Sequence, residues 1–85
     1  IIGDNCFVGH SVTFVNDKFI NNKILPKTGP FLQTIIEDNV LIGSNTTILP
    51  LKIEHNVTIG AGSVVTKNCK KNKVYVGNPA KILKK

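Results

Sequence analysis

Apolar residues return at every sixth position along most of this chain. Ile2, Val8 and Phe14 make one series, Ile36, Ile42 and Ile48 a second, and Ile53, Ile59 and Val65 a third. Two places before them stand Cys6, Val12, Thr34, Val40, Thr46, Val57 and Ser63, with Leu51 the largest exception to a small or β-branched choice. In an extended strand the side chains at i and i−2 point the same way. Each phrase therefore sends two side chains inward and leaves the remainder, often containing glycine, to turn. A helix needs spacings of three and four, which the phrase lacks. Three series of three positions predict a repeat architecture in which three short strands make one coil.

Stacked coils of this kind form a triangular prism whose equivalent positions line up in columns. The spacing predicts columns Ile2/Ile36/Ile53, Val8/Ile42/Ile59 and Phe14/Ile48/Val65, with Cys6/Val40/Val57 as a smaller inner column. One coil cannot close a core, so each depends on its neighbours. The fold class is all-β, a solenoid with coils over residues 1–67 and an exit segment over 68–85.

The period is interrupted twice. From Lys18 to about Gln33 the chain carries Asn21, Asn22, Pro26, Gly29 and Pro30, which form turns and break strands. The columns resume at Ile36, so the pattern predicts a loop over 18–33 extruded from one corner. A loop of that length without structure of its own is usually functional. Its apolar Phe19, Ile20, Ile24, Leu25, Phe31 and Leu32 predict packing on a neighbouring subunit. The second interruption is the step of five from Ile48 to Ile53 through Pro50, which should tighten that corner. After Val65 the period is expected to end, with Tyr75, Val76 and Gly77 beginning a short extended exit.

Eighty-five residues are few for a chain that buries its own core. The sequence opens Ile-Ile-Gly inside a repeat, and we expect it to be the C-terminal part of a longer protein. The net charge of +6 is uneven: Lys67, Lys70, Lys71, Lys73, Lys81, Lys84 and Lys85 follow the last repeat with no acid among them. Arginine is absent, Tyr75 is the only tyrosine and no nucleic-acid-binding motif appears, so no nucleic-acid partner is expected. Cys6 falls on an inward column and Cys69 in a lysine-rich turn, which predicts two unpaired thiols and fits a reducing, cytoplasmic setting. No membrane span or signal peptide is legible in these residues.

The run Val8 to Lys18, with Phe14, Asn16, Asp17 and Lys18 at its end, resembles a segment of bacterial enzymes that N-acetylate the 3-amino group of nucleotide-linked sugars. Ile59 to Lys67 and Val76 to Lys81 resemble the final coil and exit of the wider hexapeptide-repeat acyltransferase family. The resemblance implies a left-handed parallel β-helix, a homotrimer with active sites between subunits, and acetyl-CoA as co-substrate. It further implies a UDP- or dTDP-linked amino sugar as acceptor.

Acetyl transfer from a thioester to an amine needs a neutral amine, an attack geometry and donors for the carbonyl oxygen as it gains charge. His10 follows Gly9 at a corner, where an imidazole can take the amine proton; a solvated turn residue is the plain alternative. Asn16 and Asp17 stand where the loop departs and suit a turn by themselves. The resemblance sets Asn16 beside the sugar amine and lets Asp17 orient it. It also implies that the amides of Ala61 and Gly62 touch the cofactor and that Lys67 and Lys81 meet its phosphates as point charges. His55 reads as a surface turn residue. With only His10 and His55, on different columns, no metal site is expected. A hydroxyl acceptor, or a non-catalytic trimeric module, are the competing readings.

Overall fold

The computed structural model of the protein describes residues 1–15, 19–20, 23–24 and 34–83. Its strands are short because each coil leaves only two residues per side before the next turn. They are β1 (Phe7–Val8), β2 (Thr13–Phe14), β3 (Phe19–Ile20), β4 (Lys23–Ile24), β5 (Ile35–Ile36), β6 (Leu41–Ile42) and β7 (Thr47–Ile48), then β8 (Lys52–Ile53), β9 (Thr58–Ile59), β10 (Val64–Val65), β11 (Val74–Gly77) and β12 (Ala80–Ile82).

Parallel pairing stacks them into three faces. On the first face Ile2 bridges Ile36, and β5 pairs β8 so that Ile36 meets Ile53. The second orders β1, β6, β9, β11 and β12, aligning Val8, Ile42 and Ile59. The third orders β2, β7 and β10, aligning Phe14, Ile48 and Val65. All three columns stand as the six-residue spacing predicts, and Val40 and Val57 fill the smaller column with no exposed surface. Each fully buried isoleucine contributes about 1.5–3 kcal/mol of apolar burial. Ile36, Ile42, Ile48, Ile53 and Ile59 all reach that state.

The period does not end at Val65. Cys69 bridges Ile53, and Val74–Tyr75 pairs with Thr58–Ile59, so two sides of a fourth coil continue the first and second columns. Cys69 and Tyr75 are both buried. The six-residue spacing hides this because a step of four replaces it between Val65 and Cys69, and because a thiol and a phenol stand where aliphatic residues did. Tyr75 suits the slot because its hydroxyl accepts the Lys70 amide proton at 2.7 Å, so its polar end is partnered. The chain then doubles back, and β12 pairs antiparallel with β11.

Cys69, expected in a lysine-rich turn, is the fully buried cysteine, while Cys6 packs against the core on its inward column as expected, though only in part. Cys69 has 1% of its surface exposed and its thiol is pushed up from 9.0 to about 11 by desolvation. Cys6 is only half-buried, in the outermost described coil, with its Sγ 3.1 Å from the Glu37 carbonyl oxygen. Both are free thiols.

Glycine is not the general turn former that the repeat suggests. The left-handed residue is asparagine at one corner of every coil: Asn5 (φ 57°), Asn39 (59°), Asn56 (58°) and Asn72 (61°). Asparagine tolerates this region better than other side chains with a β-carbon. Gly9 and Gly43 serve a different end, close approach between coils. A β-carbon on Gly43 would lie 2.5 Å from the Ala61 nitrogen, and one on Gly9 would lie 2.7 Å from Ser44 Oγ.

The extruded segment carries some structure of its own: β3 and β4 pair antiparallel, Phe19 with Ile24 and Ile20 with Lys23. The expected packing of the 18–33 loop on a neighbour lies outside the described residues. Among the described residues no helix is long and apolar enough to cross a membrane.

Candidate functional site

Three corners join the faces, and they differ in chemistry. The first, after the Ile2/Ile36/Ile53/Cys69 column, stacks Asp4, Asp38, His55 and Lys71, each followed by its left-handed asparagine. Here acidic side chains cap the turns across coils. Asp38 Oδ1 accepts the Asp4 amide at 2.8 Å, Glu37 Oε1 accepts that of His55 at 3.0 Å, and Glu54 Oε1 accepts that of Lys71 at 3.1 Å. Glu37 also meets Lys52 Nζ and His55 Nδ1, each at 3.3 Å. The Lys52 hydrogen bond foremost, with His55 adding to it, holds the Glu37 carboxyl below its ordinary range against some desolvation. Most turn amides of this corner are engaged within it, that of Asp38 being an exception, and His55 is one of its structural members.

The second corner, after Val8, Ile42 and Ile59, stacks His10, Ser44 and Ala61. Ser11 (φ 59°), Asn45 (φ 62°) and Gly62 (φ 72°) follow them in left-handed conformation. The ladder runs from Asn45 N–H to the His10 carbonyl at 2.8 Å and from Gly62 N–H to the Ser44 carbonyl at 2.9 Å. Ser44 Oγ accepts the His10 amide at 3.1 Å. Ala61 brings no side-chain oxygen, so the amides of Ser44 and of Ala61 form no hydrogen bond with other described residues. His10, Ala61 and Gly62 are exposed.

This corner therefore offers an imidazole at one end and, among the described residues, unengaged amides at Ser44 and Ala61, with glycine on either side of Ala61 keeping side chains off the backbone. A narrow chain with carbonyl and amide groups fits such a track. Two coil spacings of about 4.8 Å separate the His10 and Ala61 backbones, about 9.6 Å in all.

Of the residues singled out from sequence, the fold brings His10, Ala61 and Gly62 to one corner. The Gly62 amide is already donated to Ser44, which leaves that of Ala61 unengaged among the described residues. Lys81 joins the same end: it pairs with Val76 in β11, and Val76 lies against Gly60, one residue before Ala61. Lys67 is exposed at the third corner, away from this column. Asn16 and Asp17 lie outside the described residues. Ser44 escaped the sequence reading because serine in a turn is unremarked; only its alignment between His10 and Ala61 singles it out. Among the described residues no group of three or more His, Cys, Asp and Glu side chains is placed to hold a metal ion.

A family model describing the hexapeptide repeat of succinyl-transferase matches residues 1–15 and 33–67. A hexapeptide-repeat acetyltransferase of Vibrio cholerae, solved with acetyl-coenzyme A, superposes with a TM-score of 0.82 at 26% identity, over 98% of this chain and 47% of that one. The bifunctional protein GlmU of Streptococcus uberis is 29% identical over 93 residues, which are 98% of this chain and 20% of that protein. A mutant of AntD, an N-acyltransferase of Bacillus cereus solved with dTDP-4-amino-4,6-dideoxyglucose and coenzyme A, shares the fold. It superposes with a TM-score of 0.79 at 24% identity, over 98% of this chain and 50% of that one. The chain thus spans half or less of the length of these proteins. Its coils are those of the left-handed parallel β-helix, and the chain belongs to the hexapeptide-repeat acyltransferase family.

Proposed function

We propose that the protein is an acetyl-CoA-dependent N-acetyltransferase whose acceptor is a UDP- or dTDP-linked amino sugar of surface glycan biosynthesis. The observation that carries this reading is the second corner, where His10 and the unengaged amide of Ala61 share one column. A pantetheine arm laid along that column takes a hydrogen bond from Ala61, and its thioester end reaches toward His10. Lys81 lies at the end where the phosphates emerge, and Lys67 is the more remote of the two cations.

At the reacting end, His10 takes the proton released as the new C–N bond forms and the C–S bond breaks. The Ser44 amide is the donor nearest His10 for the acyl oxygen. Asn16 and Asp17 complete the acceptor side, on the strength of the resemblance of Phe14 to Lys18 to enzymes that use such sugars. A homotrimer supplies the opposite wall of the site. In support of this acceptor, a protein of the same fold, AntD, was solved with a nucleotide-linked amino sugar and coenzyme A.

The test is mass spectrometry of full-length protein with acetyl-CoA and a panel of UDP- and dTDP-linked amino sugars beside their hydroxyl counterparts. One added acetyl group on an amino sugar is the expected product. Product only on hydroxyls, or none on any member, contradicts the reading.

A further inference from the structure

We infer that Ser44 is a positioning residue for His10, an inference that rests on the proposed role of His10 in acetyl transfer. Ser44 Oγ accepts the His10 amide proton at 3.1 Å, so the residue that opens the corner in one coil is held by a side chain of the next. The hold is built from both sides. Gly9 leaves room for it, since a β-carbon there would stand 2.7 Å from Ser44 Oγ and 2.8 Å from the Ser44 nitrogen. The Asn45 amide meanwhile binds the His10 carbonyl at 2.8 Å, so both backbone polar groups of His10 are fixed by the Ser44–Asn45 turn.

The arrangement is particular to His10. One coil further the place of Ser44 Oγ falls to Ala61, which offers no such oxygen, so the side-chain cap occurs at the histidine and is not repeated there. At the first corner the corresponding caps are carboxylates, from Asp38, Glu37 and Glu54. At His10 the cap is a neutral hydroxyl, which fixes the backbone without setting a fixed negative charge beside an imidazole that takes up a proton. With its amide and carbonyl held, the His10 Cα–Cβ direction is set, and the exposed ring searches fewer orientations before it meets the acceptor amine.

The experiment uses the full-length protein and its Ser44→Ala, Ser44→Thr, His10→Gln and His10→Gln/Ser44→Ala variants. Two readouts apply: the ¹⁵N heteronuclear NOE of the His10 amide, and acetyl transfer from acetyl-CoA to a dTDP-linked amino sugar. Ser44→Ala should lower the His10 NOE and cut kcat about three- to tenfold, the factor one neutral hydrogen bond supplies, with KM for acetyl-CoA unchanged. Ser44→Thr, which keeps the oxygen, should restore both. In the His10→Gln background the loss of the hydroxyl should cost nothing further.

An unchanged NOE, a loss that appears in KM instead, no rescue by threonine, or the same kcat loss in both backgrounds overturns the positioning role while leaving His10 in the reaction. Full activity of His10→Gln, or no transfer by the unsubstituted protein, overturns the reading of His10 and this role with it. If His10→Gln retains too little turnover for the double variant to be measured, the NOE and the threonine rescue decide.

Discussion

Gly62 donates its amide proton to the carbonyl oxygen of Ser44 at 2.9 Å, and the amide of Ala61 beside it is unengaged among the described residues. The distance between these coils is set by Gly43, whose missing β-carbon would stand 2.5 Å from the Ala61 nitrogen and 2.7 Å from its Cα. Both contacts are to backbone, so a side chain there moves the coil. Gly43→Ala should destabilise the protein by about 1–3 kcal/mol, the usual cost of overpacking. It should also weaken acetyl-CoA binding, because the track it displaces is the one that receives the arm. Urea unfolding and calorimetric titration measure the two effects. Intact affinity in a destabilised variant would separate this glycine from the site.

The asparagine column gives a second prediction. Asn56 holds φ 58° and its Nδ2 donates to Asn72 Oδ1 at 3.0 Å. Asn56→Ala keeps a β-carbon in the left-handed region and loses the side-chain bond, so it should cost about 1–2 kcal/mol. Asn56→Gly relieves the strain and should cost less. Equal losses in chemical denaturation would mean that the hydrogen bond, and not the backbone conformation, selects asparagine here.

Cys69 predicts an alkaline weakness. Its thiol is raised from 9.0 to about 11 by desolvation, so the folded state holds the proton more tightly than the unfolded chain does. The neutral thiol's contribution is fully present below pH 9.0 and is lost as pH rises through about 11. Cys69→Ala should show a smaller fall in urea midpoint across that window than the unsubstituted protein. It should also be the weaker protein at pH 7, since the deletion leaves a gap under Ile53. Identical pH slopes would contradict the burial of this thiol.

The exit strand is tied back by one hydroxyl. Ser63 Oγ donates to the Gly60 carbonyl at 2.7 Å and accepts the Gly77 amide at 3.1 Å, fixing the turn between β11 and the strand that carries Lys81. Ser63→Ala should speed hydrogen exchange at Gly77 about three- to tenfold. The KM for acetyl-CoA should rise if Lys81 meets its phosphates. Faster exchange with an unchanged KM would remove Lys81 from the cofactor site.

The columns were legible because an aliphatic residue every sixth position has few physical solutions, and each of Ile36, Ile42, Ile48, Ile53 and Ile59 lies where the period placed it. The fourth coil was not legible. Its members Cys69 and Tyr75 break both the spacing and the residue type, and their place follows from pairing with Ile53 and Ile59. At the site, His10 and Ala61 could be found from their turns, but their common corner depends on the register of β1, β6 and β9. The bond that engages the Gly62 amide and the cap that Ser44 places on His10 join residues 18 and 34 positions apart, beyond any local pattern.

The most direct measurement is hydrogen exchange of the full-length protein, residue by residue, with and without acetyl-CoA. The account predicts protection at the second corner, at Ser44 and Ala61, extending to Lys81 on β12. Protection confined to the first corner around Glu37 and His55, or none along the His10–Ser44–Ala61 column, would contradict it.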